Sequence, residues 1–364
     1  MRRGTVKIRR FAFEPLDLAL LEPFGIAGGV TEVAANALVT VELASGVRGY
    51  GEAAPLPAYD GQTQAQALAA LARVEPLVVG ADALGWRALA GELGRRIPES
   101  GAARCAVETA VLDALCRAAG LPLSAFFGGA ERTLETDMTI PTGSVEAAGP
   151  AAARIAAEGY RSIKLKVGGG PLAHDVARAC AVAQAAPGVG LLFDGNAGLE
   201  RASARALLDA CAEAGVTPLL FEQPLGRDDH AGLAALRAPA PGRPAVPIAA
   251  DESARSPADV LALARAGAVD VVNVKLMKAG IVAALDVVAV ARACGLGLMI
   301  GGMVESSLAM STAACFAAGL GGFRFVDLDT PALLRDEPFR GGFVRSGGTL
   351  DLAPILAGHG VEPR

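Results

Sequence analysis

The chain has 364 residues, of which 52% are hydrophobic, 20% are charged and 45 are glycine. This apolar content excludes intrinsic disorder, and glycine without a three-residue period excludes a collagen-like fibre. The net charge of −5, with no basic stripe, argues against nucleic acid as a partner. The chain is longer than a domain with one compact core usually is. We therefore expect a large α/β domain with an additional segment, or two domains.

The mean hydropathy of +0.41 is high enough to raise the question of a membrane segment. The most apolar stretch, residues 279–304, carries Asp286, Arg292 and several glycines, which is typical of a buried helix and strand rather than a lipid span. No secretory signal is expected, because the N-terminal segment lacks a continuous apolar core. The six cysteines are scattered without a CxxC pair, which indicates a reducing compartment. We therefore expect a cytoplasmic protein without a membrane partner.

The N-terminal third combines strand and helix patterns. Residues 6–20 and 37–42 are β-branched and apolar, as in strands, and the glycine-rich residues 23–33 between them predict a loop. Helical apolar spacing predicts helices over 62–93 and 102–119, the second ending at Gly120. Strands followed by helices predict an α+β domain, which we place at residues 1–128.

From about residue 130 the sequence repeats a short apolar run followed by a helical segment. The runs end at eight positions spaced about 24 to 30 residues apart, namely Thr139, Lys164, Asp194, Glu222, Asp251, Lys275, Gly301 and Asp327. Eight regular strand–helix units predict a closed β/α barrel over residues 129–330, and an open doubly wound sheet is the alternative. Residues 331–364 are long enough to return to the first domain.

Carboxylates follow three consecutive strands of this predicted barrel. The carboxyl ends of barrel strands open on one face, so Asp194, Glu222 and Asp251 are expected to converge there. Three carboxylates would repel one another unless a cation held them. Oxygen ligands without Cys or His predict Mg²⁺, with Mn²⁺ as an alternative.

Lysines flank the acidic group on both sides. Lys164 and Lys166 are two residues apart on one strand, so both point into the barrel, and Lys275 ends a later, almost wholly apolar strand. Buried lysines beside a dication and beside each other are expected to have lowered pKa values and to act as bases near neutral pH. A single Asp, Glu or Lys at a strand end is most often a helix cap or a solvated residue, so the prediction rests on the joint pattern.

The motifs KLK, DGN, FEQP, ADES and NVK, in this order and at this spacing, resemble the enolase superfamily, in its muconate-lactonizing-enzyme subgroup. The resemblance covers nearly the whole chain. It implies an α/β fold, a (β/α)7β TIM-like barrel with an N-terminal α+β capping domain. It also implies that Asp194, Glu222 and Asp251 are the Mg²⁺ ligands.

The same resemblance implies roles for the lysines. Lys166 and Lys275 would be the acid and base on opposite faces of the substrate, and Lys164 would help to neutralise an enolate. Asn196 would support the metal ligands from behind. A proton α to a carboxylate is very weakly acidic, and a divalent ion with lysine help would stabilise the enediolate formed on its removal.

The last barrel strand gives the best indication of the substrate. Asp327 and Asp329 share its inward face and are not needed for the metal, so the pair would bind an ammonium group. The alternative is that Asp329 only caps a turn before Pro331. The segment is similar to the Asp-x-Asp motif of dipeptide epimerases in this subgroup, and Met303 lies in a segment that resembles their seventh strand. The implied enzyme is an isomerase that inverts the α-carbon of the C-terminal residue of an L-Xaa-L-Xaa dipeptide by two-lysine 1,1-proton transfer.

Residues 23–33 would contact the substrate side chain. They include Phe24 and Ile26 but no Lys or Arg, whereas epimerases that act on Ala–Glu can carry a basic residue in this loop. We therefore expect a preference for apolar or uncharged side chains. Thr139 and Gly301 complete the expected substrate contacts, although Gly301 has a packing role as an equal alternative.

Three other functions remain open. An o-succinylbenzoate synthase or cycloisomerase-type lyase and an N-acylamino acid racemase of the same subgroup would have no use for an ammonium site. A catalytically silent barrel is disfavoured by the intact lysines. We expect a homo-oligomer.

Overall fold

A three-stranded antiparallel sheet begins the chain. The computed structural model describes residues 6–26, 29–239 and 241–364. The sheet has the order β1 (Ile8–Ile26), β2 (Gly29–Leu43) and β3 (Arg48–Ala53). The loop predicted at 23–33 is wrong over most of its length, since β1 continues to Ile26 and β2 begins at Gly29. Pairing of Phe24 with Thr31 extends the hairpin, beyond a register shift that follows Ala19.

Five helices complete the N-terminal region. They are α1 (Pro57–Asp60), α2 (Gln64–Val78), α3 (Trp86–Arg96), α4 (Gly101–Ala119) and α5 (Leu123–Phe127). The single helix predicted over 62–93 is two helices, because Val79 is extended and Gly80 has a φ of 87°. Helix α4 ends at Gly120 as predicted, with a φ of 62° that suits glycine.

Helix α4 lies unusually close to β3, which is why β3 carries glycine. A Cβ atom on Gly51 would overlap the backbone carbonyl oxygen of Ala106. We expect Gly51→Ala to lower the free energy of unfolding by about 1–3 kcal/mol, since backbone atoms cannot move aside cheaply. Gly85→Ala is the matched control, because Gly85 has a φ of −84° and nothing within 4 Å of its Cβ position. Equal thermal melting of the two variants would contradict this account of the packing.

The second region is an eight-stranded parallel sheet with the strands in chain order. The strands are β5 (Met138–Ile140), β6 (Ser162–Lys166), β7 (Gly190–Asp194), β8 (Leu220–Glu222), β9 (Ile248–Ala250), β10 (Val271–Val274), β11 (Gly297–Ile300) and β12 (Phe323–Val326). The helices between them are α6 (Val145–Ala157), α7 (Leu172–Ala185), α8 (Arg201–Glu213), α9 (His230–Arg237), α10 (Pro257–Arg265), α11 (Ile281–Ala293) and α12 (Ser307–Leu320). The expected (β/α)7β barrel with a capping region is confirmed.

Hydrogen bonds join the first and last barrel strands where the sheet curls back on itself. The Asp137 amide donates to the Val326 carbonyl over 2.9 Å. The Leu328 amide donates to Thr136 Oγ1 over 2.8 Å, and the Thr139 amide donates to Asp329 Oδ2 over 2.7 Å. We call these three bonds the seam. Two of the three involve a side chain, so the residues that close the barrel also shape its mouth.

The C-terminal segment packs against the N-terminal region. Short strands β13 (Phe339–Gly341) and β16 (Val361–Pro363) pair, as do β14 (Val344–Ser346), β15 (Thr349–Asp351) and β4 (Thr133–Glu135). His359 is fully buried and its amide donates to Asp113 of α4 over 2.9 Å. Burial lowers the pKa of His359, so it is a neutral packing residue at pH 7. Within the described ranges, no helix is long and apolar enough to cross a membrane.

Candidate active site

A cavity opens at the carboxyl ends of the barrel strands, beneath the capping region. The cavity holds about 460 Å³, part of it open to solvent. The cap contributes Phe24, Leu56 and Tyr59 to its wall. The barrel contributes Thr139, Lys166, Asn196, Lys275, Gly302, Met303, Val304, Asp327, Asp329 and Thr330.

The three carboxylates predicted to bind metal lie on neighbouring strands below this cavity. Asp194 pairs with Glu222 in the β7–β8 register, which places both side chains at one level. Asp194 is 1% exposed, and Glu222 and Asp251 are fully buried. Strand order alone therefore concentrates three carboxylates in one desolvated layer.

The turns that follow β7 and β8 hold these carboxylates in place. Asn196 and Gln223 have φ values of 41° and 31°, in the left-handed region that non-glycine residues seldom adopt. Gln223 Oε1 accepts hydrogen bonds from the Asp251 amide over 2.9 Å and from the Ser253 amide over 3.1 Å. The Asn196 amide donates to Asp194 Oδ1 over 2.9 Å. Backbone strain is thus kept where it positions functional groups.

Each acidic side chain is paired with a lysine. Lys166 Nζ lies 2.5 Å from Asp194 Oδ2, and Lys164 Nζ lies 2.8 Å from Glu222 Oε2. Lys275 Nζ lies 2.8 Å from Asp251 Oδ2. Lysines and carboxylates therefore alternate through the site, and burial makes their mutual attraction strong.

The neighbouring protein groups raise the pKa of Lys164 and of Lys275, whereas lowered values were expected beside a dication. Burial acts to lower the pKa of Lys275, but the carboxylates of Asp251 and Glu222 outweigh burial and raise it. Burial also opposes the charged form of Lys164, and the carboxylates of Asp327 and Glu222 again raise its pKa well above the usual range. The protein groups alone therefore act in the opposite direction, because the adjacent carboxylates outweigh both burial and the repulsion between the lysines. The expectation for lysines beside a dication stays a prediction.

The donor set fits Mg²⁺. Asp194, Glu222 and Asp251 offer only oxygen, they are buried, and hard divalent cations prefer such ligands. Among the described residues, the buried Asn196 Oδ1 atom has no hydrogen-bond partner, so this layer holds an unused oxygen acceptor.

A second acidic group, Asp137, Asp327 and Asp329, has carboxylate oxygens within 4.8 Å of one another. Lys164 Nζ is hydrogen-bonded both to Asp327 of that group and to Glu222 of the first group. Asp194, Glu222 and Asp251 stay the metal ligands predicted from the sequence.

The Asp327–Asp329 pair predicted on the last strand faces the cavity. Burial, and then the charge of Asp327, raise the pKa of Asp329 to about 6. Burial opposes ionisation of Asp327, but Lys164 and Lys166 outweigh burial and lower its pKa. At neutral pH both side chains are carboxylates aimed at the cavity, which is the charge that an ammonium group needs.

Two of the predicted substrate contacts, Gly301 and Ile26, are not found in the cavity wall among the described residues. Gly301 does not line the cavity among the described residues, because a Cβ there would lie 2.8 Å from Asn273 Oδ1, and Gly302 lines the wall instead. This arrangement favours the packing alternative for Gly301, and its contact with a substrate stays a prediction. The side chain of Ile26 lies outside the described residues.

Sequence patterns missed several residues of the site. Tyr59 and Leu56 reach the cavity from a short cap segment that carries no motif. Lys278 lies 2.8 Å from Asp251 Oδ1 and donates to three backbone carbonyls. Its spacing of three from Lys275 was the available signal, and a turn of 3-10 helix at Leu276–Lys278 places both lysines on one carboxylate.

Known proteins match the whole chain. A model described as enolase C-terminal domain-like matches residues 146–364, and one for the mandelate racemase / muconate lactonizing enzyme N-terminal domain matches residues 11–128. An aromatic dipeptide epimerase of Herpetosiphon aurantiacus is 51% identical over 355 residues, covering 98% of both proteins.

Solved structures agree. The crystal structure of a mandelate racemase/muconate lactonizing protein from Herpetosiphon aurantiacus has a TM-score of 0.95 and 50% identity over 99% of both chains. A dipeptide epimerase from Enterococcus faecalis, complexed with Mg and the dipeptide L-Leu-L-Tyr, has a TM-score of 0.92 and 29% identity over 98% of this chain and 99% of that one. The chain therefore belongs to the enolase superfamily, with the N-terminal domain of the mandelate racemases and muconate lactonizing enzymes.

Proposed function

We propose that the protein is a Mg²⁺-dependent dipeptide epimerase, an isomerase that inverts the α-carbon of the C-terminal residue. One observation carries the proposal. In the order of the eight strands, β6 with Lys166 and β10, which precedes Lys275, are half the barrel apart. The metal carboxylates of β7, β8 and β9 fill one arc between the lysines, and Asp327 and Asp329 after β12 lie in the other.

This arrangement matches the two charged ends of a dipeptide. The α-carboxylate belongs on the metal side and the α-ammonium on the side of Asp327 and Asp329, so the C-terminal α-carbon lies between Lys166 and Lys275. A succinylbenzoate precursor or an N-acylamino acid has no ammonium group for these aspartates. The cavity therefore supports the epimerase over the lyase and racemase alternatives.

Inversion follows from two lysines on opposite sides. A Mg²⁺ ion held by Asp194, Glu222 and Asp251 would supply positive charge where the enediolate develops and would offset the carboxylate field that raises the pKa of Lys275. One lysine takes the α-proton from its face, and the other lysine returns a proton to the opposite face. Lys164, buried against Glu222, adds positive charge beside the substrate carboxylate. Asn196 supports Asp194 from behind.

The wall of the cavity supports an apolar or aromatic substrate side chain. Lys166 Nζ lies 6.0 Å from the ring centre of Phe24, and Lys275 Nζ lies 5.6 Å from that of Tyr59. An aromatic ring thus stands near each proposed base, and Leu56 and Met303 add apolar surface. The H. aurantiacus relative, named an aromatic dipeptide epimerase, supports the same preference. A kcat/KM higher for Ala–Glu than for Ala–Phe or Ala–Leu would contradict it.

Deuterium incorporation tests the proposed function. The protein is incubated with Mg²⁺ and a dipeptide library in D₂O, and mass spectrometry detects deuterium at the α-carbon. We expect exchange in dipeptides with apolar C-terminal residues and none after chelation of the metal. Turnover of a succinylbenzoate precursor without exchange in any dipeptide would overturn the proposal.

The pH dependence of KM provides a further test. Because Asp329 has a raised pKa of about 6, its carboxylate is protonated as pH falls through that value and its attraction for ammonium is lost. The substrate ammonium loses its own proton above about pH 8. We therefore expect KM to be lowest between these values, measured as initial rates from pH 5 to 9. A KM that is flat below pH 6 would contradict the role of Asp329.

Further features of the enzyme remain proposals. We propose that it works in the cytoplasm, since the six cysteines are free, and that it is a homo-oligomer without nucleic-acid partners. We also propose three functional parts. Residues 1–128 close the cavity, residues 129–330 carry the chemistry, and residues 331–364 fasten the two together.

A further inference from the structure

Asp137 is a buried carboxyl group that neither the metal nor the proposed substrate uses. It precedes β5 at the seam and is 1% exposed. Within the part of the chain that the structure describes, neither of its carboxyl oxygens accepts a hydrogen bond. One of its carboxyl oxygens lies within 4.8 Å of one carboxyl oxygen of Asp327 and one of Asp329, yet Asp137 is not in the wall of the cavity. It therefore lies behind the proposed ammonium site.

If all three carboxyl groups were ionised, nearby positive charge would not balance their negative charge. The titratable groups that act on Asp137 are Asp327, Asp329 and Lys164. Lys164 Nζ is hydrogen-bonded to Glu222 and Asp327, and no hydrogen bond joins it to Asp137. Burial, and then the charge of Asp327, raise the pKa of Asp137 well above its usual range. A carboxylate without donors is unstable in such a place, whereas a neutral carboxyl group is not.

A neutral carboxyl group is a hydrogen-bond donor and needs an acceptor. The backbone of Asp137 is already engaged, since its amide donates to Val326 and its carbonyl accepts from Thr136 Oγ1. The nearby carboxylates of Asp327 and Asp329 are the remaining acceptors. Asp329 Oδ2 already accepts from the Thr139 amide and Asp327 Oδ2 from Lys164 Nζ, so each has one oxygen left. Of the two, Asp327 acts more strongly on Asp137 and is its side-chain hydrogen-bond partner.

We propose that Asp137 keeps its proton at neutral pH and donates it to Asp327, so that Asp327 and Asp329 remain ionised for the substrate ammonium. Asp137 is thus a positioning residue. With that proton in place the acidic group carries two negative charges instead of three, and Lys164 and one bound ammonium group lie against them. The identity of the bound cation rests on the proposed function, whereas the protonation of Asp137 does not.

Infrared difference spectroscopy tests the protonation directly. Wild type and Asp137→Asn are compared in D₂O at pH 7, without substrate. We expect a carbonyl stretch of a protonated carboxyl group in the wild type that is missing from the variant. Absence of that band would overturn the inference, whatever the enzyme's substrate. The band together with no binding of any dipeptide would support the inference and overturn the proposed function.

Two variants test the positioning role. Asn keeps a neutral donor, so Asp137→Asn should change KM by less than about threefold. Asp137→Leu keeps the branching at Cγ but not the donor, and should raise KM for a free-amine dipeptide about tenfold or more. Its exchange of an N-acetylated amino acid, which has no ammonium, should stay within about threefold of wild type. This split would not arise from general loosening of the barrel.

Two results would overturn the positioning role. The first is an Asp137→Asn variant as impaired toward free-amine dipeptides as Asp137→Leu. The second is loss of bound Mg²⁺ from Asp137→Asn, which would assign the acidic group to metal binding. If Asp137→Leu fails to fold, the infrared band and the KM of Asp137→Asn still decide the matter.

Discussion

Removal of either Lys166 or Lys275 is expected to abolish inversion. Exchange of the α-proton with solvent should persist for only one of the two epimers. In Lys166→Ala, only the epimer whose α-proton faces Lys275 should exchange with D₂O, and Lys275→Ala should show the opposite selectivity. The rate of inversion should fall by about 10²–10⁴-fold, the usual contribution of a positioned acid–base group. Proton NMR of each pure epimer in D₂O measures exchange and inversion together.

The loss should come from chemistry and not from folding, because each partner carboxylate keeps another contact. Asp251 still has Lys278 at 2.8 Å when Lys275 is removed. Asp194 still has the Asn196 amide at 2.9 Å and Lys164 Nζ at 3.9 Å when Lys166 is removed.

Lys278→Ala is the control for these variants, since Lys278 also binds Asp251 but lies outside the cavity wall among the described residues. It should lower stability without selecting one epimer. Inversion at the wild-type rate by either active-site variant would show that its lysine is not a base.

Asp329→Asn is expected to raise KM for free-amine dipeptides by about 30-fold or more. Loss of one partner from a buried charge pair typically costs at least about 2 kcal/mol of binding free energy. The Asn side chain can still accept from the Thr139 amide, so the seam bond at 2.7 Å in the wild type is retained. Steady-state kinetics on a dipeptide and on its N-acetylated C-terminal amino acid would measure the selectivity.

The comparison substrate decides what Asp329 does. Exchange of the N-acetylated amino acid should be unchanged or improved in Asp329→Asn, since no ammonium is involved. Asp336→Asn, at an exposed position just beyond the site, should leave both substrates unaffected. Equal losses on both substrates would mean that Asp329 supports the barrel and not the ammonium.

The barrel and the residues at its mouth could be predicted from the sequence because regular strand–helix units fix where strand ends meet. Asp194 and Glu222 end strands as expected, and Lys166 ends the strand before them. The capping region was less predictable, since long-range pairing decides its hairpin. Phe24 pairs with Thr31 only after a register shift, which no local propensity shows.

The protonation states of the buried charged groups could not be predicted from the sequence either. Asp137 carries no motif, and its position beside Asp327 depends on the first and last strands meeting across nearly two hundred residues of chain. The pKa direction of Lys275 likewise depends on Asp251 and Glu222 together. Spacing predicts which charges converge, but only the three-dimensional arrangement shows which charge prevails.

The seam links substrate binding to the stability of the closed barrel. Asp329 accepts the Thr139 amide with one oxygen and lines the cavity, so the group that would hold the ligand also ties the last strand to the first. A ligand bound in the cavity should therefore oppose the opening of the barrel where the two edge strands of the sheet meet. The amide of Thr139 should exchange hydrogen more slowly in the ligand-bound enzyme, while remote barrel amides keep their rates.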